Sequence, residues 1–553
     1  MADKSFDAVI IGGGNKGLVT ACYLAKYGGM SVGIFEETWE LGGGLSTTEL
    51  PPGFNCNTHG SNVMEEYYLC LLRDFPDIKE KGLQFSGDKM AIGIITEEDQ
   101  KCWGQYRLKD DLEGEKTAAA LEKFSGQKDA DTYLKLWQLA KPGGPYYEAF
   151  LKDQFSLPNP IGVRSEIDRV LMDWSKTPDA KSLGIDEQWL NFSAWQAAQE
   201  LWDEGAVIYM AIRLLKSSGF DSNVAGARGL LYSMLHGVGL VHINGGTHNL
   251  AHAMQRIISS NGGTFFSHSE VKEIIIENGT AGGVRLADGT EIEAKKLIVS
   301  NVSPYQLCFD LIGPDYLNNK IRRRIKNLVR NNTCITWYTF AVHELPKYDA
   351  AAEFNPDVND VQWLILGKHD PSFMASEQYW RYLGLEAPQM ASVVCGAHSR
   401  EDPTMVPEGK GKHIVSIEDH VPDATCMTER EWIKFKNEYA EKCLIEWQKY
   451  APNMTWDNVI DYISITPYDT ARRHKNFWPT GDQNVIDRVL GQTPPFNPMP
   501  EMAWHRVADI KQLYATGSAW GRTPNASAGQ GYTCYKAIAE DMGLRKPWDG
   551  QPW

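Results

Sequence analysis

The sequence has no two cysteines in a C-x-x-C arrangement, and its ten cysteines are scattered through 553 residues. A disulfide framework or a zinc site would need closely spaced or regularly spaced cysteines. The thirteen histidines also form no H-E-x-x-H motif or comparable metal-binding pattern. We therefore expect buried free thiols and no metal site.

Two further absences concern membranes and charge. No apolar run has the length of a membrane span, and no secretory signal precedes the first apolar segment, so we expect a soluble, cytoplasmic protein. The formal net charge is -16 at pH 7. Such an acidic chain repels the phosphates of nucleic acid, and we expect no nucleic-acid partner.

One basic stretch departs from this acidic balance. Residues 320–326 have the spacing of an amphipathic helix, with Leu328 and Val329 continuing its apolar stripe. Two interpretations are open for this stretch. It is either a peripheral contact with anionic lipid or a solvated helix on an acidic protein, and we prefer the second.

The most informative stretch lies near the N-terminus. Residues 6–11 are a short apolar run rich in β-branched side chains, which predicts a strand buried on both faces. Gly12, Gly14 and Gly17 follow with G-x-G-x-x-G spacing, and residues 18–27 have helical periodicity. In such a unit the first glycine permits the turn, the second lets the backbone approach a pyrophosphate, and the third lets the helix pack on the strand. The unit predicts dinucleotide binding at the helix N-terminus.

An acid and a second glycine cluster complete this pattern. A second apolar strand, residues 31–35, ends at Glu36, which lies about 20 residues beyond the glycines, where a carboxylate accepts hydrogen bonds from ribose hydroxyls. The glycines at residues 42–44 let the chain fold back over the dinucleotide.

Residues 1–50 resemble the phytoene-desaturase-like FAD oxidoreductases of the amine-oxidase superfamily, whose members open with such a fingerprint, acid and Gly-Gly pair. Residues 51–60 are similar to the family block that brings the chain beside the flavin. Two positions depart from the family pattern: Gly44 stands where many relatives have Arg or Lys, and Asn57 where many have an acid. These departures affect phosphate neutralisation and the polarity beside the flavin.

Two later blocks extend the resemblance. Residues 242–301 contain a glycine turn, a helix, a hairpin signal at residues 288–289 and a strand, in the order of the family. The likeness implies that the backbone at Val271 meets the adenine. Residues 513–542 contain a strand, a loop and a helix beginning near Gly529. In the family this helix points at the N1–C2=O edge of the flavin, where its dipole stabilises the reduced ring.

The resemblance implies an α/β fold, in which a Rossmann-type FAD-binding domain carries an inserted α+β substrate domain with a mixed sheet and helices. The expected domains are discontinuous. The FAD-binding domain combines residues 1–75, 240–303 and 482–553, and the substrate domain combines residues 76–239 and 304–481. Within the substrate domain, residues 193–215 predict the longest helix and residues 333–342 predict a strand.

The family blocks also imply the site residues. Those expected to bind the cofactor are Gly12, Gly14, Asn15, Gly17, Glu36, Glu37, Gly43, Gly44, Leu45, Ser46, His59, Gly60, Val271, Asn301, Gly517, Ser518, Gly529, Gln530 and Gly531. His59 is the catalytic candidate, because an imidazole near the flavin accepts or relays a proton near neutral pH; a hydrogen-bonded structural histidine is the alternative. Trp478, Trp520 and Tyr532 are expected at the substrate pocket, with core packing as the alternative for the tryptophans.

The function implied by the resemblance is an oxidoreductase with non-covalent FAD. It would dehydrogenate or desaturate an apolar, isoprenoid- or terpenoid-like substrate by hydride transfer to flavin N5. The alternatives are a flavin amine oxidase, a redox-neutral flavin isomerase, and a non-catalytic lipid or prenyl carrier, although the intact glycines disfavour the carrier. No second dinucleotide fingerprint supports NAD(P)H as a partner, and the electron acceptor is open between oxygen, a quinone and a redox protein.

Overall fold

The described part of the chain contains two seven-stranded sheets, a two-stranded sheet (β3-β4), a three-stranded sheet (β5-β9-β6) and the helices that pack around them. The structure, a computed structural model, describes residues 4–49, 51–159, 163–220, 222, 226–330, 334–489, 491–492, 496–521, 526–551 and 553. The strands in these ranges are β1 (Lys4–Ile11), β2 (Val32–Phe35), β3 (Thr47–Glu49), β4 (Asn55–Asn57), β5 (Asn62–Met64), β6 (Phe85–Ser86), β7 (Met90–Thr96), β8 (Cys102–Tyr106), β9 (Leu240–Ile243), β10 (Thr264–Phe266), β11 (Val271–Glu277), β12 (Thr280–Leu286), β13 (Glu291–Ser300), β14 (Ile335–Val342), β15 (Val361–Gly367), β16 (Val393–Val394), β17 (His413–His420), β18 (Val459–Ile465) and β19 (Leu513–Ala515).

The α-helices in the same ranges include an uninterrupted series, α3 to α10, between β8 and β9. They are α1 (Asn15–Lys26), α2 (Leu69–Asp74), α3 (Glu115–Ser125), α4 (Gln127–Ala140), α5 (Pro145–Phe155), α6 (Glu166–Trp174), α7 (Pro178–Ser182), α8 (Ala194–Leu201), α9 (Gly205–Ser217), α10 (Arg228–Gly239), α11 (His248–Ser260), α12 (Asn319–Lys326), α13 (Asp349–Phe354), α14 (Ser372–Tyr382), α15 (Glu429–Gln448), α16 (Pro467–Arg473) and α17 (Gly529–Met542).

The first sheet has the order β10-β2-β1-β13-β12-β11, and β19 pairs with the C-terminal end of β13. Strands β10, β2, β1, β13 and β19 run parallel, whereas β12 is antiparallel to its two neighbours. The last four residues of β1 are buried, as predicted for a strand covered on both faces. The predicted hairpin at residues 288–289 is confirmed by the antiparallel pairing of β12 with β13.

Helix α1 begins directly after the glycine turn that follows β1, and α11 and α17 pack against it. Two glycines make these approaches close. A Cβ on Gly17 would lie 2.7 Å from the Gly12 carbonyl oxygen, and a Cβ on Gly531 would lie 2.4 Å from the Lys16 carbonyl oxygen. Helix α1 is therefore clamped to the turn on one side and to α17 on the other.

The second sheet has the order β18-β14-β17-β16-β15-β7-β8. It is mixed, because β15 is parallel to β7 while the other neighbouring pairs are antiparallel. Helix α15 packs its buried Trp432, Tyr439 and Trp447 into the apolar core beside this sheet. The strands of the first sheet come from residues 1–75, 240–303 and 482–553, and those of the second from the two stretches between; the domain boundaries themselves stay a prediction.

The prediction of one long helix over residues 193–215 is wrong. The chain leaves α8 at Leu201 and starts α9 at Gly205. The Asp129 carboxylate accepts hydrogen bonds from the backbone N–H groups of Asp203 (2.9 Å) and Glu204 (3.1 Å). These bonds stabilise the non-helical segment between α8 and α9. The Glu204 side chain then caps α9. The longest described helix is instead α15, with 20 residues.

Other predicted elements lie close to their expected positions. Strand β14 begins at Ile335, and the first predicted residue of that strand, Thr333, lies outside the described residues. All ten cysteines are free thiols, and nine of them are buried, as predicted. Within the described ranges, no helix is both long and apolar enough to cross a bilayer.

The basic stretch forms α12, whose apolar stripe faces the interior of the protein. Ile321 and Ile325 are buried in the core next to the first sheet, and Lys320 and Arg324 form ion pairs with Glu501. Because the apolar face of α12 is buried in the protein, the helix agrees with the preferred interpretation, in which its basic face is in contact with solvent. Contact of the remaining basic side chains with a lipid surface stays a prediction.

The helix clamp can be tested by adding one methyl group. We expect Gly531→Ala to lower the free energy of unfolding by about 1–3 kcal/mol, because the new Cβ meets a backbone oxygen that cannot move without displacing α1. Gly282→Ala on β12 is the matched control, since its Cβ would meet no atom within 4 Å. Urea denaturation measures both variants, and equal stability of the two would contradict the clamp.

Candidate functional site

A cavity of about 280 Å³ lies between the two sheets. Its walls include Ile11 and Asn301 of the first sheet region and Trp337 and Trp363 of the second sheet. Its volume is close to the lower end of the range of about 300–1,000 Å³ that is usual for small-ligand pockets.

The fingerprint glycines form one end of the cavity. Gly12 has a φ of +86°, which only glycine adopts readily. A Cβ on Gly14 would lie 2.8 Å from Asn301 Nδ2, so a side chain there would fill the space beside the turn. No described side chain caps α1 at Gly14. The first N–H groups of α1 therefore have no capping side chain and are available to a phosphate group.

The second glycine cluster folds back onto the first, as expected from the sequence. The Gly42 N–H donates to the Gly13 carbonyl oxygen at 2.9 Å, and Gly14 and Gly42 form a parallel bridge. Gly43 has a φ of +62°, and a Cβ there would lie 3.2 Å from Gly14 Cα. The two clusters thus form one narrow backbone cradle.

Glu36 is buried on the cavity wall and is held by hydrogen bonds at both carboxylate oxygens. Oε2 accepts from the Gly13 N–H at 2.8 Å, and Oε1 accepts from the Thr38 N–H at 3.0 Å and the Thr38 hydroxyl at 2.9 Å. Sequence reasoning placed the acid correctly at the end of β2 but did not predict these bonds. They fix the carboxylate beside the fingerprint turn, with lone pairs left to accept from a ligand hydroxyl.

The same end of the cavity is closed by a lysine from the chain segment after the second sheet. Lys475 forms ion pairs with Glu37, at 3.0 Å, and with Glu270. Val271, expected at the adenine, also lines the cavity here. This contact joins the ends of β2 and β10 to the loop after α16.

His59 lines the cavity, where both of its ring nitrogens have hydroxyl partners. Nδ1 lies 3.0 Å from Thr58 Oγ1, and Nε2 lies 3.2 Å from Thr470 Oγ1. The imidazole stacks on Phe477, with ring centroids 6.0 Å apart and planes inclined by 8°. The ring is therefore fixed in orientation.

The electrostatics around His59 favour the neutral imidazole. Burial, followed by the nearby positive charges of Arg473 and His474, holds the pKa of His59 well below its usual range. A neutral imidazole can donate one hydrogen bond and accept another, but a strongly lowered pKa makes it a weak base.

Another part of the cavity wall, which we call the aromatic end, carries aromatic side chains. Trp337 of β14 and Trp363 of β15 line it together with Tyr67 and Tyr232, whose hydroxyls hydrogen-bond each other. Sequence reasoning missed all four. They come from distant parts of the chain, and only the pairing of the second sheet brings the two tryptophans to one wall.

One acid on this wall is internally neutralised. Glu418 of β17 lines the cavity, and its Oε1 accepts from Arg213 at 3.1 Å and from the Ser217 hydroxyl at 2.9 Å. Because Arg213 is fully buried, the pair adds little net charge to the aromatic end.

The structure brings together most of the residues expected at the cofactor. Those on the cavity wall are Gly12, Gly14, Asn15, Glu36, Glu37, Gly43, Gly44, Leu45, His59, Gly60, Val271, Asn301 and Ser518. Those off the wall are Gly17, Ser46, Gly517, Gly529, Gln530 and Gly531. Gly17 and Gly531 serve the helix packing described above, and Ser46 is buried against the Thr58 hydroxyl.

The three aromatic side chains expected at the substrate pocket lie elsewhere. Trp478 is 56% exposed. Trp520 is buried, and its indole N–H donates to the Val302 carbonyl oxygen at 2.7 Å. Tyr532 packs against α1, and its hydroxyl accepts from Arg73 at 2.7 Å. The expectation is corrected, because Trp478 faces solvent, whereas Trp520 and Tyr532 have partners outside the cavity. For Trp520 this agrees with the alternative of core packing.

Several known proteins resemble this chain over much of its length. Residues 10–75 match the model described as an NAD(P)-binding Rossmann-like domain. A limonene dehydrogenase subunit of Castellaniella defragrans is 23% identical, over 99% of this chain and 96% of that protein. Pyridine nucleotide-disulfide oxidoreductase domain-containing protein 2 of Mus musculus is 25% identical, over 93% of this chain and 90% of that protein. Phytoene desaturase (neurosporene-forming) of Cereibacter sphaeroides is 25% identical, over 60% of this chain and 59% of that protein.

Solved structures share the fold over nearly the whole length. An oxidoreductase from Methanosarcina mazei superimposes with a TM-score of 0.58 at 15% identity, covering 96% of this chain and 99% of that one. Putrescine oxidase bound to putrescine gives 0.57 at 13% identity, covering 97% and 99%. The predicted α/β fold class with a Rossmann-type dinucleotide-binding unit is confirmed.

Proposed function

We propose that this chain, an oxidoreductase of the FAD-dependent superfamily, binds FAD non-covalently and uses it to dehydrogenate or desaturate an apolar substrate of isoprenoid or terpenoid type. One observation carries the proposal: the dinucleotide fingerprint and an aromatic wall line the same cavity. Two relatives are named for the apolar hydrocarbons limonene and phytoene, which supports the substrate class.

The residues at the fingerprint end fit an extended dinucleotide. The N-terminus of α1 and the cradle at Gly14 and Gly43 would hold the pyrophosphate, the Glu36 carboxylate would accept from a ribose, and the backbone at Val271 would meet the adenine. When bound, the flavin supplies the chemistry by accepting a hydride from a substrate C–H bond.

The second sheet supplies the environment in which such a transfer occurs. Trp337 and Trp363 present an apolar surface that positions a hydrocarbon and keeps water away from it. His59, held by two threonine hydroxyls, would orient groups by hydrogen bonding near the ring. The proposal needs no catalytic triad, because the protein's task is to position the substrate and exclude water.

The purified protein is expected to be yellow, and acid precipitation should release its FAD into the supernatant. Anaerobic mixing with a panel of terpenoids, polyenes, cyclic ketones and amines should bleach the flavin with a terpenoid or polyene. A colourless protein that FAD cannot reconstitute would overturn the cofactor assignment. Bleaching by amines alone would favour an amine oxidase over a desaturase.

Glu36→Ala should weaken FAD binding by tenfold or more, because a charge-assisted hydrogen bond is worth about 1.5–3 kcal/mol. Glu36→Gln should lie between wild type and Glu36→Ala, since its amide nitrogen cannot accept from the Gly13 N–H. Glu277→Ala, which removes an exposed acid at the end of β11, is the control. FAD titration of the apo variants measures the effect, and an unchanged affinity would reject the ribose contact.

His59→Ala should slow flavin reduction by less than about tenfold while FAD stays bound, because the lowered pKa makes His59 a poor general base. Anaerobic stopped-flow absorbance measures the rate with the best substrate of the panel. A general base would instead contribute about 10²–10⁴-fold, so a loss of that size would restore His59 as a catalytic base.

A further inference from the structure

A buried lysine lies on the cavity wall. Lys16 is the second residue of α1, is 3% exposed and lines the cavity. Helical side chains lean towards the N-terminus of their helix, which for α1 is the cavity end. The stem of Lys16 thus carries its ammonium group to the cavity rather than to bulk solvent.

The ammonium group of Lys16 has no ion pair or hydrogen bond with any residue that the structure describes. Burial, together with the positive charge of Arg488, lowers the pKa of Lys16 to about 7. A buried cation without a counter-charge is costly and loses its proton more readily, whereas an anion bound beside it would favour the charged form.

Arg488 is a second buried cation beside Lys16. It is 3% exposed, and the groups whose charges act on it include Asp482 and the two bonded tyrosines of the aromatic end, Tyr67 and Tyr232. Asp482 acts on Arg488, while no described acid acts on Lys16. The ammonium group of Lys16 therefore lacks a counter-charge among the described residues.

A hydroxyl near this pair also lacks a partner. Ser218 lines the cavity, and its Oγ is buried without a hydrogen bond among the described residues. Its neighbour Gly219 accepts a backbone hydrogen bond from Arg488 at 3.1 Å, which places Ser218 beside the arginine. Lys16 and Ser218 thus present to the cavity an ammonium group and a hydroxyl that have no partner in the described part of the chain.

From this arrangement we propose that Lys16 and Ser218, which both line the cavity, form a subsite for an anionic group, a carboxylate or a phosphate, at one end of an otherwise apolar substrate. The buried positive charge of Arg488 adds to the attraction for an anion without lining the cavity. The inference rests on the proposed function and narrows its substrate class to amphiphiles. The hydrocarbon would lie along Trp337 and Trp363, and the anion would meet the ammonium group of Lys16 and the hydroxyl of Ser218.

The pyrophosphate of the cofactor is a second source of the same chemistry, because it too would lie near the N-terminus of α1. One observation favours the substrate. Ser218 lines the cavity together with the aromatic side chains Trp337 and Trp363, which are expected to hold a hydrocarbon. The experiment has one arm for each source.

The first arm measures binding of decanoate and decanol to the FAD-loaded protein by calorimetry. The two probes share an apolar chain and differ in the charge of the head group. We expect decanoate to bind wild type at least about tenfold more tightly than decanol, because a carboxylate beside the Lys16 ammonium group forms charge-assisted hydrogen bonds. Lys16→Met should lose about tenfold for decanoate and nothing for decanol, and Lys16→Arg should restore the difference.

Lys475→Met is the matched control, since Lys475 lines the same cavity but is already paired with Glu37 at 3.0 Å. It should leave the preference for decanoate unchanged. Ser218→Ala is a second test variant that keeps all charges, and it should lose a smaller part of the preference. Flavin content and melting temperature check that each variant is folded.

The second arm titrates apo wild type and apo Lys16→Met with FAD. A loss of FAD affinity together with unchanged decanoate binding would assign Lys16 to the cofactor and overturn the proposal. Equal binding of decanoate and decanol to wild type would also overturn it. Failure of the proposed function has a different signature, namely wild-type protein that holds no FAD or a flavin that no compound of the panel reduces.

Discussion

The close approach of backbone to backbone around the start of α1 is the constraint on which the rest of the site depends. Gly17 lies against the carbonyl of Gly12, Gly531 against that of Lys16, and Gly43 against Gly14. At each position a side chain would push two elements apart. Because these contacts are tight, the cradle, the buried acid of β2 and the wall that carries Lys16 keep fixed positions relative to one another.

Some polar groups around the cavity have hydrogen-bond or charge partners within the described protein, and others have none. The Glu36 carboxylate is held by the Gly13 and Thr38 donors, and Glu418 is neutralised by Arg213. These groups are oriented in advance, so a ligand loses no binding free energy in ordering them. Lys16 differs, because none of the described residues supplies a counter-charge to its buried ammonium group.

The sequence predicted the features that depend on local residue spacing. It did not predict those that form only when distant parts of the chain pair. Gly12, Gly14, Gly17 and Glu36 lie within one strand–turn–helix–strand unit, so their arrangement follows from local geometry. The aromatic wall needs β14, β15 and two helical segments to meet, which no motif encodes. The break between α8 and α9 depends on Asp129, a residue more than two helices away in the chain. The resemblance also placed Tyr532 at the substrate pocket, whereas its ring packs against α1.

The pairing of β1 has a consequence for how the chain is made. One edge of β1 pairs with β2, which follows closely, but its other edge pairs with β13, and β13 in turn pairs with β19. On the ribosome, β1 therefore keeps one unpaired edge until residues 291–300 have been synthesised. Helix α1 lacks one of its packing partners for longer still, until α17 (residues 529–542) has been synthesised. A nascent chain with such late closure is exposed to aggregation, and its assembly depends on protection of that edge during synthesis.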